Sequence, residues 1–206
     1  KAIDIFTILH ITQARPFSGT QSSSTLFTSM STRPSVTRIA HLDGQFIPLA
    51  DARVSALDRG FVFGDGIYEV SAVLDGGLVD NDSHLDRLLR SLGEISLALP
   101  VSRERLVEIQ KELIRRNELV EGVVYIQVTR GAAEREFGFP AGTTPTLFMF
   151  TQAKNIVASP NAERGVRVKS VPDLRWQRCD IKSISLLAQV LAKQAASEAG
   201  CLEAWM

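Results

Sequence analysis

Apolar and polar positions recur with a definite period along most of the chain after residue 38, and the period changes from segment to segment. Ile39 to Leu42 and Gln45 to Ile47 flank Asp43-Gly44, a pair suited to the positive φ angles of a tight turn, so a short hairpin is predicted. A second strand pair is predicted around Asp75-Gly76-Gly77, with Ile67 to Leu74 entering and Leu78-Val79 leaving. Leu85, Leu88, Leu89, Leu92 and Ile95 then repeat at helical spacing until Pro100, and Ser83 with Asp86 three positions later resembles a capping box. Ser102 caps a second predicted helix, whose apolar stripe is Leu106, Ile109, Leu113 and Ile114. Val123 to Thr129, Thr146 to Thr151 and Val166 to Val171 read as strands, with a Gly- and Pro-bearing loop between the first two. Ile184 to Ala199 reads as a helix, with Leu187, Val190, Leu191 and Ala195 on one side and Gly200 at its C′ position. Strands, helices, strands and a helix in that order predict an α+β protein of two lobes with a boundary near residues 117–122.

Both ends depart from this pattern. Between Asp4 and Asp43 there is no acidic residue, while Ser18, Ser22, Ser23, Ser24 and Ser29 crowd the same stretch with Arg15 and Arg33. Such a segment cannot bury enough apolar surface to order itself, so residues 1–36 are expected to be a disordered or non-native leader. The first methionine is Met30, which fits upstream sequence read in frame; a Ser-rich, acid-poor composition also fits an organelle transit peptide. At the other end, Leu202 to Met206 reads as the start of a strand. A domain rarely ends by exposing a fresh strand edge, so the chain is expected to stop inside an element, or else to dock this tail as a last edge strand.

Composition narrows the classes of function. The 206 residues carry 23 basic and 23 acidic side chains, and the balanced charge removes the field that nucleic-acid and anionic-membrane binders use. No apolar run approaches the ~20 residues of a membrane span. Two cysteines, Cys179 and Cys201, are too few for a disulfide framework, so a reduced, cytoplasmic setting is expected. His10, His41 and His84 have no ligand-spaced neighbours, and no metal site is predicted. Phe63-Gly64-Asp65-Gly66 resembles a phosphate loop only faintly; with no helix after it, it reads as a turn into a strand.

Lys182 is the candidate for chemistry, because the run from Asp173 to Ser183 leads from a strand towards a helix. A lysine forms a Schiff base only when its amine sheds its proton, which burial and neighbouring cations favour, and Arg175 and Arg178 are close in sequence. A following helix N-terminus would also offer N–H groups to an anion. On this ground alone a solvated surface lysine is the commoner outcome.

The order of motifs changes that balance. Arg59-Gly60-Phe61-Val62-Phe63-Gly64-Asp65-Gly66-Ile67-Tyr68-Glu69-Val70, then His84-Leu85-Asp86-Arg87-Leu88, then Gln127-Val128-Thr129-Arg130-Gly131, then Arg178-Cys179-Asp180-Ile181-Lys182-Ser183 together resemble the class IV aminotransferases. The resemblance is collinear from about Ile39 to Met206, and within the family the Arg-Trp-x-Arg-Cys-Asp-Ile-Lys-Ser run is most similar to the D-amino-acid branch. It implies the two-lobed fold type IV architecture, a small lobe over 37–120 and the first part of a larger, cofactor-binding lobe over 121–206, and a pyridoxal 5′-phosphate enzyme that moves the amino group of a D-alanine-like amino acid to a 2-oxo acid. A homodimer with shared active sites is implied as well. A branched-chain or (R)-amine transaminase of the same fold, or a non-catalytic truncated subunit, are the alternatives.

By the same resemblance, Lys182 is the Schiff-base lysine and the base that moves a proton between substrate and cofactor. Arg87 matches the arginine that binds the cofactor phosphate, and Tyr68 the tyrosine that contacts the substrate carboxylate. Arg135 matches a loop arginine that traps the substrate carboxylate across the dimer, although Glu134 and Glu136 could instead be its salt-bridge partners. The position two after it, often histidine in the D-amino-acid enzymes, is Phe137, so one donor is lost from the trap. The family pattern continues beyond Met206 with a strand and a Thr/Ser-rich turn holding further cofactor ligands; the 206 residues are therefore expected to have little or no activity by themselves.

Overall fold

The computed structural model describes residues 37–206, and the expected leader, residues 1–36, lies outside the described residues. Two hairpins fold as their turn residues require. β1 (Ile39–Leu42) returns as β2 (Gln45–Pro48) through Asp43 and Gly44, at φ 45° and 89°. β3 (Gly66–Leu74) returns as β4 (Gly77–Leu78) through Asp75 and Gly76, at φ 48° and 74°. A short helix precedes β3: in α1 (Arg59–Phe63) Asp58 caps the N-terminus by accepting from the Gly60 N–H at 2.8 Å, and Gly64 ends it in the left-handed region.

Two longer helices follow, α2 (Asn81–Glu94) and α3 (Arg103–Arg116). Ser102 caps α3 as expected, its Oγ accepting from the Arg105 N–H at 3.1 Å, and Leu106, Ile109, Leu113 and Ile114 are all buried. The capping box expected at Ser83 is not formed, because α2 starts at Asn81 and Ser83 lies inside its first turn. Two interactions move the start. Asn81 is drawn into a buried amide network, accepting from Ser71 Oγ at 2.8 Å and donating to Gln110 Oε1 at 2.9 Å, while Asp86 pairs with Arg103 on α3 instead of reaching back to the cap.

β5 (Gly122–Thr129) and β6 (Thr146–Ala153) complete an antiparallel sheet in the order β2-β1-β6-β5-β3-β4. This sheet runs straight through the division expected at residues 117–122. β5 pairs with β3 from Gly122 to Thr129, so the strands on both sides of that point share one layer, and a separate group of elements begins only after Ala153. The sheet's period of two decides its faces. Ile67, Val73, Val124, Ile126, Val128, Leu147 and Met149 point to one side and pack with Leu85, Leu88, Leu92, Leu106, Ile109 and Leu113 in one core. The other side carries a half-buried aromatic row in which Tyr68 stacks on Tyr125 at 5.8 Å and Tyr125 meets Phe150 at 4.9 Å. Burial, with Tyr68 as a lesser cause, pushes the Tyr125 phenol up to about 12.

His41 is the exception in the core. It is fully buried on β1, edge-on to Phe46 at 5.2 Å, and among the described residues neither ring nitrogen has a hydrogen-bond partner. Burial lowers its pKa from the ordinary value, with Asp43 opposing and Arg105 adding to the shift. The imidazole is therefore neutral in the folded chain and protonates more readily in the unfolded one. Stability is expected to be fully present above pH ~6.5 and to fall as the pH drops below it, by 1.4 kcal/mol or less per pH unit for this one group. Urea melts of the wild type and His41→Phe from pH 7 to pH 5 check this; a slope that persists in the variant would contradict it.

The last part of the chain holds α4 (Pro160–Arg164), β7 (Val168–Ser170), α5 (Leu187–Glu198) and β8 (Glu203–Trp205). A strand does form within residues 202–206: β8 pairs parallel with β7, from Val168 opposite Glu203 to Ser170 opposite Trp205. Gly200, at φ 66°, follows α5 as its C′ residue. The helix begins at Leu187 and not at Ile184, because the residues before it are engaged with β3. It also packs by its small residues: Ala192 and Ala196 are buried, while Leu187, Val190 and Leu191 are exposed.

Candidate active site

β4 pairs only with the end of β3, which leaves the edge of β3's first half open. The segment around Lys182 occupies it. Tyr68 N–H donates to the Lys182 carbonyl at 3.1 Å, Ile184 N–H donates to the Gly66 carbonyl at 3.1 Å, and Ile67 bridges Ser183. On the other side Lys182 N–H donates to Ser91 Oγ on α2 at 3.3 Å. Ile181 points into the core at 6% exposure, so the next residue faces the opposite side, where Lys182 Nζ lies 4.2 Å from the centroid of the Tyr68 ring. A stacked lysine over a phenol is worth about 0.5–2 kcal/mol and fixes where the amine points.

The amine opens into a cavity of about 190 Å³ lined by Tyr68, Arg175, Trp176, Cys179, Lys182 and Gln189, among others. The structure thus brings Lys182 and Tyr68 together. The loop entering from Asp173 is braced by ion pairs: Arg175 forks onto Asp173 at 2.7 and 3.0 Å, and Arg178 pairs with Asp180 and with Glu94 of α2 at 3.0 and 2.6 Å. The Arg175 contact, with the charge beside it, holds the Asp173 carboxyl at about 2. The two cations expected beside the lysine are therefore each matched by carboxylates. The helix N-terminus expected directly after Lys182 stands further on, at Leu187.

Arg87 does not line this cavity. It projects from α2 onto Glu69, a carboxylate on β3 with 0% exposure, through Nε to Oε1 at 2.5 Å and Nη2 to Oε2 at 2.9 Å. His84 Nδ1 shares Oε2 at 3.0 Å. Burial alone would raise the Glu69 carboxyl, but its hydrogen bonds to Arg87 and His84 outweigh that and hold it below the usual range. Glu69 was legible only as a member of the Tyr68-Glu69 motif; the signal that singles it out is an acidic residue at a core-facing position between Ile67 and Ser71.

Arg135 also stands apart from Lys182, on the loop between β5 and β6. Its guanidinium lies 5.3 Å from the Phe63 ring centroid and 5.5 Å from that of Phe137. Among the described residues it forms no ion pair, so the salt bridges with Glu134 or Glu136 considered from the sequence are not made; Glu136 Oε1 instead accepts from the Phe137 N–H at 2.8 Å.

The structure thus presents a lysine amine over an aromatic ring inside a cavity, the placement that a Schiff base with a carbonyl compound would require. The chain belongs to the class IV aminotransferases: the family model described as Amino-transferase class IV matches residues 66–206. A D-alanine aminotransferase of Staphylococcus aureus (strain MSSA476) is 44% identical over 164 residues, covering 79% of this chain and 58% of that protein. The chain thus spans a little over half the length of the curated relatives it matches. Among solved structures, a branched-chain amino acid aminotransferase from T.th., determined with pyridoxamine 5′-phosphate, superposes with a TM-score of 0.75 at 19% identity, over 82% of this chain and 59% of that one. A 4-amino-4-deoxychorismate lyase from Pseudomonas aeruginosa gives 0.61 at 28% identity, over 81% and 60%.

Pyridoxal 5′-phosphate is the cofactor of this family, and the cavity suits it. It offers one primary amine for an aldehyde, the aromatic side chains of Tyr68 and Trp176 on its lining, and Gln189 Oε1, a buried acceptor with no partner among the described residues.

Proposed function

We propose that the protein to which these residues belong is a pyridoxal-phosphate transaminase that moves the amino group of a D-alanine-like amino acid to a 2-oxo acid. The observation that carries the reading is Lys182 held over Tyr68 in the cavity, on a chain similar along 164 residues to a D-alanine aminotransferase. The cofactor supplies an electron sink for the pair released from the substrate Cα–H bond. Lys182 would hold the cofactor through Nζ, and the same amine, when free, would carry the substrate Cα proton. Its backbone, fixed on one side by Tyr68 and on the other by Ser91, limits the arc through which Nζ swings. Tyr68 supports the amine with its ring and offers its hydroxyl to the substrate carboxylate. By the family resemblance Arg87, although it does not line the cavity, is the proposed phosphate ligand, with Nη1 outside its contacts to Glu69. Arg135 is the proposed carboxylate ligand for a partner subunit's cavity in a homodimer; cytoplasmic location is part of the same reading.

A second reading, a branched-chain or (R)-amine transaminase, is favoured by Phe137. It stands 74% exposed beside Arg135 and presents an apolar surface where a donor would strengthen the carboxylate trap. Amino-donor assays with D-alanine, L-leucine and (R)-phenylethylamine separate the two. D-Alanine is expected to be the best donor, by at least about tenfold; turnover with L-leucine or the amine alone would replace the first reading by the second.

A further inference from the structure

We infer that Arg59 is a positioning residue that holds the tip of the Arg135 loop, an inference that takes its functional meaning from the proposed role of Arg135. The loop between Thr129 and Thr146 is long for a hairpin connection, and long connections without secondary structure are loose unless they are tied down. Its base is closed by backbone contacts: Arg59 N–H donates to the Gly131 carbonyl at 2.9 Å and Ala133 N–H to the Leu57 carbonyl at 3.2 Å. Gly131 has φ 88°, and a Cβ there would overlap the Thr144 carbonyl, so the two ends of the loop pass closely.

The tip is held differently. The Arg59 side chain is 4% exposed and donates Nη1 to the Glu136 carbonyl at 2.5 Å and Nη2 to the Phe137 carbonyl at 3.3 Å, the two residues that follow Arg135. Among the described residues these are the hydrogen bonds that join 134–142 to the rest of the molecule. The guanidinium is itself aimed by Asp65, which accepts from Arg59 Nε at 2.8 Å and from Arg130 Nε and Nη2 at 2.8 and 3.0 Å. Arg130 in turn donates to the Ile95 carbonyl at 2.8 Å and lies 3.7 Å from the Phe139 ring centroid. Asp65 therefore fixes the orientation of Arg59, and the guanidinium fork reaches two successive carbonyls while Nε keeps the carboxylate. An ammonium has no fork and cannot do both.

Arg59→Lys separates positioning from stability, because it keeps a cation for Asp65 and loses the bonds to the loop. Trypsin cleavage at the Arg135–Glu136 bond, identified by mass spectrometry on the native protein, is expected to become about tenfold faster, with the melting temperature within a few degrees of wild type. Arg59→Gln, too short to span to the loop, is the second variant under the same two measurements. Cleavage at wild-type rate in both, or cleavage that rises only in step with a lower melting temperature, overturns the inference. On the cofactor-loaded protein, Arg59→Lys is further expected to raise KM for D-alanine several-fold while keeping kcat. A loosened loop with unchanged KM counts against the role of Arg135 and leaves the clasp standing.

Discussion

Lys182→Ala is expected to remove the absorbance band near the visible edge that the wild type acquires with added pyridoxal 5′-phosphate, and to lower any transaminase turnover by at least about a thousandfold. Lys182 supplies the one primary amine among the residues that line the cavity, and the tie of its backbone to β3 and α2 leaves no neighbouring group to take over. Lys154, Lys169 and Lys193 are exposed controls on the same chain. Their alanine variants are expected to keep the band, which distinguishes reaction at Lys182 from adventitious modification of surface amines. Identical spectra for wild type and Lys182→Ala would mean that this amine does not meet the cofactor.

Arg87→Met is expected to destabilise the fold by about 3 kcal/mol, because it strands a carboxylate inside the core. Glu69 has 0% exposure, and without Arg87 only His84 and the Val70 N–H, which donates to Oε2 at 3.2 Å, remain to face it. Glu69→Gln is expected to cost about 1 kcal/mol, since the surviving Arg87 is 44% exposed and water takes over its donors. The inequality reverses the intuition that either half of an ion pair is equally dispensable. The pH dependence has a definite sign. Glu69 is held below its ordinary value in the fold, so its contribution is present above the unfolded value of ~4.3 and is lost as the pH falls through the folded one. The gap between wild type and Arg87→Met in urea melts is therefore expected to narrow from pH 7 towards pH 3. Equal penalties for the two variants, or a gap independent of pH, would contradict the assignment. Cofactor affinity gives a separate readout: Arg87→Met removes the proposed phosphate ligand, while Glu69→Gln only frees it to move.

The same cluster shows how a fold and a site can share residues. Glu69 faces the core because Tyr68 faces the cavity, and the strand alternation that puts a phenol under Lys182 leaves an acid among leucines. Arg87 and His84, one helical turn apart on α2, make that arrangement tolerable by supplying charge and hydrogen bonds. Asp65 is held below its ordinary value for a similar reason: burial opposes ionisation, and Arg130 and Arg59 outweigh it. Both carboxylates stand beside the motif around Tyr68, so the segment most visible in the sequence also carries the buried charges.

What the chain determined by itself was local. Turn pairs such as Asp43-Gly44 and Asp75-Gly76 adopt the positive φ angles that their residue types allow, and the leucine stripes of α2 and α3 are buried as their spacing demands. Lys182, Tyr68, Arg87 and Arg135 were nameable from motif order, since those residue types in that order resemble one family. Tertiary structure decided what lies beyond the reach of short-range pattern. Periodicity does not say which strands pair, so the sheet's continuity through residues 117–122 is visible only once β5 meets β3. Ser83 looked like a cap until Asn81 found Ser71 and Gln110, and Ile184 looked helical until its N–H was taken by Gly66. The apolar side of α5 is legible as apolar, yet the alanines are what pack, because close approach to neighbouring strands favours small side chains. Which cations meet which carboxylates was likewise open: Arg87 goes to Glu69, Arg178 to Asp180 and Glu94, and Arg59 to Asp65, while Arg135 is left unpaired among the described residues. Coulomb attraction acts on whatever the folded chain brings within a few ångströms, and sequence separation does not fix that distance.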